Sequence, residues 1–212
     1  MKEKLIIIGA GGHSKSVVDS INQDKYHLIG FIDDNKIGTH MGYPIIGKTL
    51  KDIEQYENYK YFVAIGDIDS RKMWFETLQK ANVEIINIID ETAIISSSAK
   101  IGIGNYIGKN SIINADATIG NNNIINTKAL VEHECIVGNH THLSTNSVIN
   151  GNVVIKDGVF LGSCSVCIGQ LTVGENSTIG AGSVIISDIE DNVTAVGVPG
   201  KVIKKNGKKI IN

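Results

Sequence analysis

The run Ile95-Ser-Ser-Ser-Ala-Lys-Ile101-Gly-Ile-Gly-Asn-Tyr-Ile107-Gly-Lys-Asn-Ser-Ile-Ile113 opens a stretch, reaching to about Glu190, in which an aliphatic residue returns at every sixth position. The series continues through Ile119, Ile125, Val131, Val137, Leu143, Ile149, Ile155, Leu161, Val173, Ile179 and Ile185, and departs from the aliphatic rule only at Cys167. A period of six fits neither a helix nor a simple half-buried strand; it is the mark of a parallel β-helix built from hexapeptide repeats. Each hexad supplies one short strand and one corner, and three hexads close a triangular coil of about eighteen residues. Stacked coils would bury a column of Ile and Val along the axis. The position after the aliphatic residue is often Gly (Gly102, Gly108, Gly120, Gly138, Gly162, Gly174, Gly180), and Gly and Asn are expected at corners that need positive φ. A regular solenoid leaves flat outer walls, so function is expected on residues that break the pattern outward, which lie between Asn126 and His142.

Working outward, the onset of this period near Ile95 divides the 212 residues into an expected first unit, 1–90, and a second, 91–212. A net charge of −2 without a Lys/Arg stripe gives no electrostatic footprint for nucleic acid. The apolar run after Met1 is too short for a membrane span or a secretory core, which points to a soluble cytoplasmic protein with no membrane partner. Three cysteines do not make a disulfide framework. Cys164 and Cys167 have CxxC spacing, but the sixfold frame turns Cys167 inward and Cys164 elsewhere, so inert thiols and no metal are expected.

In the first unit, a strand Lys4 to Ile8 runs into Gly9-Ala-Gly11-Gly12-His13-Ser-Lys15 and a helix expected over Ser16 to Ile21. Strand, Gly-rich turn and helix form the phosphate-binding start of a Rossmann-like fold, although the third glycine of the dinucleotide fingerprint would fall at Ser14. A second strand, Leu28 to Ile32, ends in Asp33-Asp34, where such folds carry an acid that can bind a ribose or base. A solvated acidic turn is the competing reading. Further elements are a strand Tyr59 to Ile65 ending at Gly66, a helix Asp69 to Lys80, and a last strand Val83 to Ile89. One mononucleotide-binding half suits a nucleotide carrying a sugar better than a whole NAD.

The segment Asn126 to His142 holds three of the six histidines, His133, His140 and His142. His133 takes the third place of its hexad, and the residues stacked eighteen and thirty-six positions later are Gly151 and Gly169, which leaves a slot beside it. An imidazole next to a carboxylate suits proton removal near neutral pH. Adjacent residues of a regular strand point to opposite faces, so Glu134 can support His133 only if the chain bends there; Glu132 meets the same difficulty. His142 follows by nine residues, half a coil, so the two histidines belong to different sides of one triangle and could share a ligand only across neighbouring chains.

The hexad array, the Val-Glu-His-Glu-Cys segment ending at Cys135, the Val-Gly-Val-Pro-Gly-Lys ending at Lys201, and the N-terminal Gly-Ala-Gly-Gly-His and Ile-Asp-Asp motifs together resemble the sialic acid O-acetyltransferase family of hexapeptide-repeat acetyltransferases. The resemblance covers essentially the whole chain and is nearest to the bacterial UDP-4-amino-sugar N-acetyltransferases of bacillosamine synthesis. It implies a homotrimer with a left-handed β-helix that transfers acetyl from acetyl-CoA to a nucleotide-sugar. His133 would be the general base and Glu134 its support; Asn126 would hold the acceptor, with the nucleotide met by Gly11, Gly12, His13, Asp33, Asp34 and Gly66. His142, Ser163 and Ala181 would lie along acetyl-CoA. Asp90-Glu91 replaces a His-Pro pair frequent in the family, and Ala181 replaces a Gly in the coenzyme wall. Competing readings are a sialic acid O-acetyltransferase, a zinc lyase of carbonic anhydrase type using His133, His140 and His142, and a nucleotide-sensing scaffold without catalysis.

Overall fold

The computed structural model describes residues 2–210; Ile211 and Asn212, the end of the expected second unit, lie outside the described residues. The first unit runs β1 (Glu3–Ile8), α1 (Gly12–Asp19), β2 (Tyr26–Ile32), β3 (Thr39–His40), β4 (Tyr43–Gly47), β5 (Lys60–Val63), α2 (Ile68–Lys80) and β6 (Glu84–Ile85). The sheet order is β3-β4-β2-β1-β5-β6, with β1 parallel to both β2 and β5. Leu5 to Ile8 are at most 1% exposed, because a central parallel strand is covered on both faces and so reads as an unbroken apolar run. The first helix begins at Gly12, earlier than the expected Ser16. Gly11 caps it in an extended conformation, and the Ser14 hydroxyl donates back to the Gly11 carbonyl. It stops before Ile21, where Ser20 Oγ turns away to donate to buried Asp90 at 2.6 Å.

The expected strand Val83 to Ile89 is two strands in different sheets. β6 closes the first sheet, whereas Ile88–Ile89 pairs with Tyr106–Ile107 as the first rung of the solenoid. Asn87 makes the break: its Nδ2 donates to the Gly102 carbonyl and its Oδ1 accepts the Asn105 N–H. Asn105 and Asn123 repeat this inside the next coils, up to the Thr141 N–H. A buried amide ladder therefore starts the solenoid before the expected division after residue 90.

From there, two-residue strands recur every six residues and form three parallel sheets of a left-handed β-helix, with pairs such as Ile125↔Leu143 and Val131↔Ile149 eighteen positions apart. The expected inward column is its core: Ile113, Ile125, Ile149, Ile155 and Cys167 are all 0% exposed. Burial pushes the Cys167 thiol up to about 12, while Cys164 sits on an exposed corner. Positive φ recurs three places after the aliphatic residue, at Gly104, Gly158 and Gly182 and at Asn110, Asn122, Asn146 and Asn152 as expected of corner Gly and Asn, and also at Asp116, Lys128, Glu134 and His140; the glycines that directly follow the aliphatic residue do not adopt it. Those glycines serve stacking instead, since a Cβ on Gly120 would stand 2.6 Å from the Gly138 carbonyl oxygen of the next coil. Winding also continues past Glu190: Val193–Val196 pairs in parallel with Thr178–Ile179 before the chain reverses into Lys201–Lys205.

The first unit sits on one face of the solenoid, where the outward side chains of Tyr106 and Ile124 are 0% and 1% exposed in a cluster with Ile7, Phe62 and Ile88. Among the described residues no helix is long and apolar enough to cross a membrane.

Candidate active site

His133 follows the strand Leu130–Val131 at a corner of the solenoid. Glu134 has a φ of +58°, so the chain bends at this residue and its carboxylate swings back to the ring, with Oε2 3.1 Å from His133 Nδ1. Of the two glutamates beside His133, Glu134 is the one whose carboxylate reaches the ring. Glu132 Oε2 accepts Asn114 Nδ2 at 2.9 Å and the His133 N–H at 3.3 Å, which ties it to the coil below and to the backbone. Asn152, at the corresponding corner one coil on, donates to Glu134 Oε2 at 3.3 Å. The space that Gly151 leaves is taken by the His133 ring itself, since a Cβ there would lie 2.5 Å from the imidazole Cε1. The His133 and Glu134 side chains are 55% and 58% exposed, so the pair contributes little to stability and stays open to a reactant.

His142 lies on another face, outward from the strand His142–Leu143, where the first unit meets the solenoid. Its Nε2 is 3.4 Å from Asn126 Nδ2, its ring stands edge-on to Phe160, and its buried Nδ1 has no hydrogen-bond partner among the described residues. Burial, reinforced by Arg71 and His13, pushes its pKa down to about 3, and the Gly66 backbone lies against it. His13 comes to the same seam from α1, edge-on to Tyr106, with a buried, unpartnered Nε2. Burial and the Arg71 charge lower its pKa to about 4. The fold thus joins His13 and Gly66 to Asn126 and His142.

Beside this seam opens a cleft of about 360 Å³ lined by Gly11, Gly12, His13, Asp33, Asp34 and Gly66 together with Ser70 and Trp74. Asp33 is occupied on both oxygens: Oδ2 accepts the Ala10 N–H at 2.7 Å, and Oδ1 accepts the N–H groups of Asn35 and Lys36. It ties the end of β2 to the Gly-rich turn. Asp34 is exposed at the mouth, held to Asn35. Ser163 and Ala181 stack one above the other at the corner that follows the His142 face, with the Gly182 N–H bonded to the Ser163 carbonyl at 2.8 Å. Between that corner and the His133 corner runs the six-stranded face. Its outward side chains are Ile94, Ile112, Leu130, Val148, Val166 and Val184, an unbroken aliphatic column.

A family model described as the PglD N-terminal domain matches residues 4–78. The acetyltransferase domain of PglB from Neisseria gonorrhoeae is 33% identical, with 95% of this chain and 100% of that chain covered and a TM-score of 0.91. The chain belongs to the hexapeptide-repeat sugar acetyltransferases. A mutant of perosamine N-acetyltransferase from Caulobacter crescentus, solved with CoA and GDP-perosamine, is 32% identical over 94% of this chain and 96% of that one, with a TM-score of 0.89. A curated, uncharacterized protein of Acanthamoeba polyphaga mimivirus is 39% identical over 97 residues, which span 45% of this chain and 19% of that protein.

Of the three histidines that could be read as a zinc set, His140 packs edge-on against Phe75 of α2, with Nδ1 2.7 Å from Asn122 Nδ2, while His133 and His142 belong to different sides of the solenoid. Two residues of the site went unnoticed in the sequence. Asn152 was one more corner Asn among many. Arg71 was one charge on a helix, yet it is 1% exposed and occupies the apolar stripe with Phe75 and Leu78, a spacing that could have singled it out.

Proposed function

We propose that this acetyltransferase moves the acetyl group of acetyl-CoA to the amino group of a nucleotide-linked amino sugar of the UDP-4-amino-sugar type, in the cytoplasm, as a step of surface glycan biosynthesis. The observation that carries this reading is the junction of the nucleotide-sized cleft with the solenoid at Gly66, His13 and His142. A free sialic acid has no nucleotide to occupy that cleft, which weighs against O-acetylation of such a sugar.

Acetyl-CoA supplies a thioester carbonyl open to attack by an amine, with thiol as the leaving group. The coenzyme fits the corner of Ser163 and Ala181, where side chains are small, along the edge of the solenoid face that carries His142. Asn126 orients the acceptor beside His142. His133 Nε2 accepts the proton that the amine loses as its nitrogen bonds to carbon, a contribution typically of about 10² to 10⁴-fold. Glu134, bonded to Nδ1, fixes the ring and stabilises the imidazolium.

His133 and the Ser163 corner flank the aliphatic face on opposite edges, so one chain does not bring them together. A homotrimer packed through that face buries the aliphatic column and sets the His133 corner of each chain against the Ser163 corner of its neighbour. The test is incubation with acetyl-CoA and UDP-4-amino sugars, GDP-perosamine or free sialic acid, following thiol release and the product by mass spectrometry. Amide formation on a nucleotide-sugar is expected; ester formation on sialic acid alone would replace this reading with O-acetylation.

A further inference from the structure

Arg71 stands in the first turn of α2, directly after the Gly66 loop that lines the cleft. Each of its five N–H donors meets a backbone carbonyl. Nη1 serves Ile65 and Gly66 at 3.2 and 3.0 Å; Nη2 serves His140 and Thr141 at 3.0 and 3.2 Å; Nε serves Asn122 at 3.2 Å. Two of these acceptors belong to the first unit and three to stacked corners of the solenoid. Among the described residues no carboxylate bonds to the guanidinium, and burial, partly offset by Asp67, lowers its pKa to about 10. A buried cation held only by carbonyls is costly, and a simple helix-to-solenoid contact would be filled more stably by an apolar side chain. The nearby interface is already apolar through Tyr106 and Ile124. What the fork adds is direction: a planar group with five fixed donors sets two backbones in one relative position, which neither an aliphatic side chain nor the three mobile donors of Lys can do.

Resting on the function proposed above, we infer that Arg71 is a positioning residue that registers the nucleotide cleft, through Gly66, with the solenoid strand that carries His142, so that the held acceptor reaches the acetyl group in reactive geometry. It touches no reacting atom. Its effect falls on turnover more than on nucleotide affinity, because the Gly-rich turn and Asp33 on the other side of the cleft are held by their own bonds, whereas a misplacement of about 1 Å costs roughly 10²-fold in rate.

The experiment compares wild type, Arg71→Met and Arg71→Lys by thermal unfolding, by calorimetric binding of UDP and GDP, by steady-state kinetics with the nucleotide amino sugar, and by hydrogen exchange. Folded Arg71→Met is expected to bind nucleotide within about threefold of wild type, to lose roughly 10²-fold in kcat, and to exchange faster at both 65–71 and 138–143; Arg71→Lys falls between. Wild-type kcat in a folded Arg71→Met, or a kcat loss matched by an equal loss of nucleotide affinity, overturns the assignment. Exchange needs no turnover: if the wild type acetylates no nucleotide-sugar, the proposed function fails, and the clamp is judged on that arm alone. Faster exchange confined to 65–71 would then reduce Arg71 to a local support of α2 and refute the clamp.

Discussion

His133 owes its position to a glycine one coil away. Gly151 has no positive φ to protect, so alanine there is tolerated by the backbone, but its methyl would stand 2.5 Å from the ring and displace it from Glu134. Gly151→Ala is therefore expected to keep its Tm within a few degrees while losing about tenfold or more in kcat, in the direction of His133→Ala, for which a loss of about 10² with unchanged KM for acetyl-CoA is expected. A kinetically silent Gly151→Ala would remove the base from this corner. His13 and His142 give a prediction of another kind. Their folded pKa values, about 4 and about 3, lie below the ordinary 6.5, so between these limits the unfolded chain binds more protons than the folded one. Stability is fully present above pH 6.5 and falls as pH drops through that window. Denaturant titrations of His142→Gln between pH 6.5 and 4 should show a shallower fall than wild type, by up to about one proton. The corner place of His133 was legible in the sequence because its hexad place and its stacked glycines are periodic facts. The bend that Glu134 needs to reach it could be named but not read off, since an acidic residue, unlike Asn or Gly, does not announce a left-handed corner.

At the scale of elements, the Gly-rich turn and the end of β2 act as one piece because Asp33 bonds both. Its two oxygens are already engaged, so Asp33→Ala is expected to lower Tm and to weaken nucleotide binding together, through the Ala10 and Lys36 backbones. Asp34→Ala removes an exposed carboxylate at the cleft mouth and should raise the acceptor KM with Tm unchanged. Kinetics beside thermal unfolding separate the two; equal behaviour would mean that Asp33 contacts the ligand as directly as Asp34. Hexads are local, so strands, corners and the inward column were plain from spacing. The split of Val83 to Ile89 was not, because it is set by Asn87 reaching Gly102 and Asn105, bonds that exist only once a second coil has formed. Arg71 escaped for the same reason: its five acceptors come from segments up to 70 positions away, and a lone Arg among Lys72 and Lys80 reads as a solvated face.

For the whole molecule, the outer walls of the solenoid differ from one another. One face is covered by the first unit through Tyr106 and Ile124, and another presents the aliphatic column from Ile94 to Val184 with the two halves of the proposed site at its edges. In the proposed homotrimer acetyl transfer takes place in grooves between chains, with His133 from one and the Ser163 corner from the next. The direct test is mixing: inactive His133→Ala chains and Ser163→Trp chains, whose corner is blocked, are unfolded and refolded together at equal amounts, and turnover is measured. Random trimers should recover roughly a quarter of wild-type activity per site, since that share of interfaces pairs two intact faces. Activity that stays at the level of the two separate parents would place the whole site within one chain and contradict the account.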